Sequence, residues 1–161
     1  MLRPVKLKVL PGKAEPAEPA EPAGSTGYVL DEQVGLLMRI AIQRHTAIFM
    51  SRMIEGLTPT QFGALARLAE VGPCSQNHLG RLIYLDAATI KGVIDRLTAR
   101  GFVATGNDAT DRRRLAVTLT DSGRAVTEAA IKVAAEITAA TLAPLTAEEQ
   151  RAIGTLLNKL G

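Results

Sequence analysis

Leu57-Thr58-Pro59-Thr60-Gln61, Ser75-Gln76-Asn77, Leu85-Asp86-Ala87-Ala88-Thr89-Ile90-Lys91, Asp95-Arg96-Leu97, Arg100-Gly101-Phe102-Val103, Asp111-Arg112-Arg113 and Leu119-Thr120-Asp121-Ser122-Gly123 follow one another in this order. Thr58 with Pro59 reads as the cap and first position of a helix running to about Glu70, where Gly72-Pro73 breaks it. Ser75 caps a short helix to about Ile83, and Asp86 caps the next, Ala87 to about Arg100, which Gly101 ends. Phe102–Thr105 and Leu115–Leu119 are short β-like runs around a polar stretch, Gly106–Arg114, that carries three arginines. Two short helices joined by a turn, followed by a hairpin with a cationic tip, make a tool for reading DNA. The second helix suits the major groove and the tip suits the minor groove.

Outward from this centre the pattern is helical. A long helix starts at Leu30 or Asp31 and runs to about Ile54, with Asp31 and Glu32 placed for the positive end of its dipole. Its apolar residues fall on two faces, Val34, Leu37, Ala41, Ile48 and Phe49 on one, Leu36, Ile40, Ala47 and Ile54 on the other. A helix apolar on several sides needs cover from a core and from a partner. Thr120 or Asp121 starts an Ala-rich helix to about Leu142; Pro144 breaks it, and Thr146-Ala147-Glu148-Glu149 is a capping box for a last helix to Leu160. Leu142, Leu145, Ile153, Leu156, Leu157 and Leu160 add more apolar surface than one small body covers, so a homodimer is expected. The expected fold is mostly α with a small β-hairpin. A winged helix-turn-helix (58–119) is flanked by a helical dimerisation region (30–57 and 120–161). Residues 1–29 form a Pro/Ala/Glu-rich arm: Glu-Pro-Ala recurs at 15–17, 18–20 and 21–23, and proline at every third position prevents a regular helix.

Composition agrees. With 161 residues, 47% hydrophobic, 3% aromatic and no Trp, the chain holds one domain whose core is Leu, Ile, Val and Ala. The net charge of +3 is mild, but residues 87–114 carry six basic residues against three acidic ones, a local +3. A positive patch beside a readable helix is the electrostatic footprint of a DNA binder. One cysteine excludes an internal disulfide and a cysteine-rich zinc site. No apolar run approaches the roughly 20 residues that cross a membrane, and Arg3, Lys6 and Lys8 interrupt the start, so no signal peptide is read and the cytoplasm is expected. No cofactor or metal is expected.

Ile90, Val93, Ile94 and Leu97 share a helix face and should point to the core. That leaves Ala88, Thr89, Lys91, Gly92, Asp95 and Arg96 outward or sideways. Small residues at the helix start allow close approach to base edges. Thr89 offers a hydroxyl to a base and a methyl to thymine, and Lys91 reaches guanine or phosphate. Ser75, Gln76 and Asn77 are placed for phosphate contact.

These residues resemble the MarR family of bacterial transcription regulators over most of the chain. The resemblance implies a repressor that binds a pseudo-palindromic operator as a dimer and is released by a ligand. In that family the wing's second basic residue pairs with the acid of the recognition helix. Here that implies Arg113 with Asp95, beside Asp111, leaving Arg112 for DNA. Arg114 stands where a small residue is usual, so it too is a candidate DNA contact. The string Gln33-Val34-Gly35-Leu36-Leu37 through Gln43-Arg44-His45-Thr46-Ala47-Ile48-Phe49 looks like regulators of aromatic-acid breakdown. It implies an anionic effector, a free aromatic acid or an aromatic CoA thioester, bound by Arg44, His45 and Phe49.

Three rival readings have signatures of their own. No nucleophile–base pair, metal set or phosphate loop is spaced for catalysis. A winged-helix module that binds protein has no need of the wing arginines or the Thr89/Lys91 face. A thiol redox sensor would use Cys74, which has no basic neighbour in sequence to activate it.

Overall fold

The structure, a computed structural model, describes residues 27–107 and 115–160. It is mostly helical, with one two-stranded antiparallel sheet: α1 (Val34–Arg52), α2 (Pro59–Val71), α3 (Gln76–Leu82), α4 (Ala87–Ala99), β1 (Val103–Asn107), β2 (Leu115–Leu119), α5 (Asp121–Leu142) and α6 (Ala147–Asn158). The arm and the wing tip, with Asp111, Arg112, Arg113 and Arg114, lie outside the described residues.

Local chemistry sets most boundaries. Thr58 and Gln61 form a reciprocal capping box with Pro59 at the first position of α2, and Thr146 with Glu149 repeats the box on α6. Ser75 Oγ accepts from His78 N, and Asp86 accepts from Ala88 N and Thr89 N. The hairpin pairs Val103 with Leu119 and Asn107 with Leu115. Cys74 extends it on the far side of β2, donating to Val117 O at 3.2 Å and accepting from Val117 N at 2.8 Å.

The first helix and the first strand depart most from the sequence reading. The first helix is not continuous from residue 30 to 54. A 3-10 turn at Leu30–Glu32 precedes it, Gln33 is extended, and α1 stops at Arg52, before a second 3-10 turn at Ile54–Gly56. Met53 and Leu57 are both buried, and the chain reaches from one to the other through Glu55 (φ +55°) and Gly56 (φ +57°), a left-handed bend that no continuous helix allows. The first strand starts at Val103, because Phe102 is taken by the turn: its N–H bonds Leu97 O at 3.0 Å and its carbonyl accepts from Thr120 N at 3.1 Å.

The core lies between α2, α4, the hairpin and the middle of α5. Leu57, Leu65, Leu79, Ile90, Val93, Leu97, Val117 and Ile137 are all essentially inaccessible. From α1 it receives chiefly Phe49, followed by Met53 just beyond the helix. The rest of α1 and the far face of α6 leave Val34, Leu37, Ile40, Ile42, Leu156, Leu157 and Leu160 exposed.

Candidate nucleic-acid interface and effector groove

The four apolar residues assigned to the inner face of α4, Ile90, Val93, Ile94 and Leu97, are its four buried residues, and Ala88, Thr89, Lys91, Asp95 and Arg96 are exposed. The helix therefore presents one polar face outward while the turn from α3 holds its start. Gly80, in the last turn of α3, faces that turn with no room to spare: a Cβ there would lie 3.1 Å from both Leu85 O and Ile90 Cγ2.

Hydrogen bonds refine the roles of the outward residues. The Thr89 hydroxyl donates to Asp86 Oδ2 at 2.6 Å, so its hydrogen is committed within the cap. What Thr89 has left for a base is its methyl group and the lone pairs of its oxygen. Lys91 Nζ lies 2.6 Å from Asp95 Oδ2, an exposed pair one helical turn apart. Arg96 folds back over Gly92, where an added Cβ would meet its Nη1 at 3.6 Å. In α3, Ser75 acts as a cap, Gln76 is half-buried and Asn77 is exposed. Tyr84, which the sequence reading passed over, is 92% exposed in the turn before α4, with φ +57°.

The Asp86 carboxyl is held below its ordinary value, first by the Thr89 hydroxyl and then by the Thr89 backbone N–H. A depressed carboxyl stabilises the fold above its unfolded pKa and loses that contribution as pH falls through the lower, folded value. Wild type should therefore be more resistant to urea than Asp86→Ala at neutral pH, and the gap should close below the ordinary value of 3.8. A gap that widens on acidification would contradict this.

A joint links the recognition helix to the rest of the fold. Arg100, at the end of α4, donates to Glu55 O at 2.7 Å and lies 3.3 Å from Glu55 Oε2. Its guanidinium also stacks 4.5 Å from the centre of the Phe102 ring. Thr120 Oγ1 donates to Gly101 O at 2.6 Å while accepting from Gly123 N at 2.9 Å. The end of α4, the start of the hairpin, the link between α1 and α2 and the first turn of α5 thus meet at one place.

The second site is a groove of about 470 Å³ between α1, the end of α5 and α6. Leu37, Met38, Ala41, Ile42 and His45 line it from α1, Thr141 and Leu142 from α5, and Ile153 and Leu157 from α6. His45 Nδ1 lies 3.0 Å from Thr141 Oγ1, and Arg44 Nη1 donates to Thr141 O at 3.0 Å. Of the three expected effector residues, His45 faces the groove and Arg44 stands at the same threonine. Phe49 does not line it; at 4% exposure it is a core residue, tilted against Phe62 with ring centres 6.0 Å apart. The stripe that is exposed around residues 37–42 descends into the core by residue 49, so Phe49 touches the groove only through the His45 ring, 6.2 Å away. Thr141 was not legible as a site residue, since nothing in an Ala-rich helix marks which threonine faces a histidine 96 positions earlier.

Cys74 is half-buried, and desolvation raises its thiol pKa. The thiol is thereby pushed toward its protonated, less nucleophilic form, while the Cys74 backbone is bridged to β2 through Val117. Among the described residues, no group of three or more His, Cys, Asp or Glu could hold a metal, and no single helix is long and apolar enough to cross a membrane.

Comparison with known proteins adds an independent line. A family model described as MarR family matches residues 55–114. The HTH-type transcriptional repressor NicR of Pseudomonas putida is 43% identical over 84% of this chain and 87% of its own. A probable transcriptional regulator from Pseudomonas aeruginosa superposes with a TM-score of 0.80 at 50% identity, covering 83% of this chain and 100% of that one. BpsR of Bordetella bronchiseptica, whose structure concerns regulation of DNA binding by 6-hydroxynicotinic acid, gives a TM-score of 0.78 at 42% identity, covering 83% and 96%.

Proposed function

This chain belongs to the MarR family of transcription regulators, and from that premise we propose that it is a homodimeric repressor whose operator occupancy is set by a small aromatic acid. That it is a DNA-binding, ligand-responsive regulator and not an enzyme follows from the relatives it matches. Members of the family bind operator DNA as dimers, and residues 30–57 and 120–161 are the region we assign to dimerisation. Residues 58–119 are the part assigned to DNA. Its place of action is then the cytoplasm, with the chromosome.

For DNA, we assign Ala88, Thr89, Lys91 and Arg96 to the major groove, Ser75, Gln76 and Asn77 to phosphates, and Arg112 and Arg114 to the minor groove. Asp95 has two claimants. Lys91 holds it in the structure, and the family pattern assigns it to Arg113 as a wing anchor with Asp111. An exposed pair one turn apart contributes only about 0.2–0.5 kcal/mol, so freeing Lys91 gains little. Losing the anchor of a DNA-contacting wing costs more. Asp95→Ala should weaken operator binding several-fold although it removes an acid from a DNA-facing surface, and Arg112→Ala should weaken it with a shallower salt dependence. Tighter binding by Asp95→Ala would refute the anchor.

For the effector, the carrying observation is the apolar groove whose polar groups are His45 and Thr141, with Arg44 beside them. Its volume admits a one-ring acid, and an aromatic CoA thioester would have to leave its nucleotide outside. BpsR, whose DNA binding is regulated by 6-hydroxynicotinic acid, directs attention to pyridine carboxylic acids. Bound there, the acid would favour a lobe spacing that no longer matches successive major grooves, and that difference in affinity between two conformations is the switch. A near-complete switch needs roughly 5 kcal/mol of preference, so a weak, unspecific aromatic anion binds without acting. The test is a gel shift with the chain's own upstream DNA, titrated with aromatic acids and their CoA thioesters, for wild type and His45→Ala. Release at the same concentration for both would place the effector elsewhere.

A further inference from the structure

Tyr84 is the most exposed large apolar side chain among the described residues, 92% accessible, and its backbone is left-handed at φ +57°. That region is unfavourable for a residue with a Cβ, and a turn that needs it ordinarily takes glycine or asparagine. Here the fold imposes it. Ile83 and Leu85, on either side, both pack against the core. Tyr84 N donates to Arg81 O at 3.3 Å and Leu85 N to Gly80 O at 2.9 Å, which ties the turn back to α3. A turn held at both flanks sends the side chain between them outward. The ring adds nothing to the core and the backbone beneath it is strained, so the protomer's stability does not account for a tyrosine at this position.

The place of the turn does account for it. The first residues of a recognition helix lie nearest the bases, and the helix before it crosses the DNA backbone, so the turn joining them runs past the sugar–phosphate chain. Asn77 and Arg81 on α3 and Ala87 at the start of α4 border one crevice of about 220 Å³ between the two helices. Arg81 is exposed and brings positive charge next to the turn. The nearest acid, Asp86, has its carboxylate engaged by Ala88 N, Thr89 N and the Thr89 hydroxyl. We propose that Tyr84 is a further DNA contact, its phenol O–H donating to a phosphate at the lip of the major groove and its ring lying along the adjoining deoxyribose. This rests on the assignment of residues 58–119 to DNA, and it adds a contact that sets the depth and register of α4 without itself reading sequence. A phenol is a neutral donor on a side chain with few torsions, so it orders at little entropic cost, and Arg81 supplies the charge that draws the phosphate.

The test uses the full chain, its own upstream DNA and an unrelated duplex of the same length. Tyr84→Phe keeps the ring and the backbone and loses only the O–H. It should weaken binding about tenfold on both duplexes, the size of one hydrogen bond to a charged group, with an unchanged salt slope because a neutral donor releases no counterion. Tyr84→Gly, which relieves the left-handed backbone, should raise Tm by about 2–4 °C and bind DNA at least as weakly as Tyr84→Phe. The chain has two tyrosines, so a Tyr28→Phe protein grown on fluorotyrosine carries one fluorine resonance. That resonance should show a water–deuterium solvent shift in the free protein and lose most of it in the complex. Wild-type affinity in Tyr84→Phe, a loss confined to the upstream DNA, a solvent shift that persists in the complex, or a Tyr84→Gly protein less stable than wild type would each overturn the inference and leave the DNA-binding assignment standing. Failure of the wild-type protein to bind either duplex would overturn both.

Discussion

Replacing Gly123 by alanine is expected to cost on the order of 3 kcal/mol of stability, with a fall in Tm of about 10 °C. Gly123 opens α5 directly against the turn that ends α4. A Cβ there would fall inside the van der Waals shell of the Phe102 carbonyl oxygen and lie 2.8 Å from Phe102 C and 3.2 Å from its Cα. The obstacle is backbone and cannot rotate away. To relieve the clash α5 must move off, which strains the Thr120–Gly101 bond at 2.6 Å and the Thr120–Phe102 bond at 3.1 Å. Because Arg100 and Glu55 meet at the same joint, operator affinity should fall along with stability. Gly63→Ala is the control: nothing lies within 4 Å of its added Cβ in the middle of α2, so it should be neutral or gain about 0.5–1 kcal/mol. Thermal and urea unfolding at fixed protein concentration measures both. A Gly123→Ala protein as stable as wild type would show that the contact between α5 and the turn is looser than described.

The second large effect expected is loss of operator binding when the exposed apolar surface of α1 and α6 is charged. Val34 is 64% exposed and Leu156 56%, so neither supports the protomer's own core. Val34→Asp together with Leu156→Asp should convert a dimer to a monomer at micromolar concentration and weaken operator binding by about a hundredfold or more. One recognition helix then engages one half-site, where a dimer spans two, ~34 Å apart. Helix content should survive, because an acid at the first position of α1 suits its dipole. Light scattering, circular dichroism and a gel shift on the same samples separate dissociation from unfolding. A double variant that stays dimeric would put the interface on another face.

What could be read from the residue string alone was whatever depends on neighbours within about one helical turn. The capping boxes at Thr58 and Thr146, the Asp86 cap, the proline at the start of α2 and the buried stripe of α4 are short-range chemistry, and each stands within one or two residues of where its pattern put it. The resemblance to a known family added order to these signals, and with it the winged helix-turn-helix. The break between α1 and α2 was harder, because Glu55 adopts a left-handed conformation that its residue type does not announce and that Arg100, 45 positions away, supports.

Only the tertiary structure decided which side of α1 faces what. The periodicity that groups Leu37, Ala41, His45 and Phe49 on one stripe is correct as geometry. Yet the helix crosses its neighbours at an angle, so Leu37 is exposed, His45 reaches Thr141 and Phe49 is buried against Phe62. A helical period gives direction around an axis, whereas burial depends on how that axis tilts over α5 and α2. The same holds for Gly123, whose need to be glycine comes from a carbonyl 21 positions earlier, and for Thr141, whose hydroxyl orients a histidine on another helix. Sequence alone thus determined most of the helices, the hairpin and the outward polar face of α4, because hydrogen bonds between near neighbours and the burial stripe of a single helix specify them. The joint and the polarity of the groove came from packing, because they exist only where segments far apart in the chain are brought to within about 3 Å, the length of a hydrogen bond.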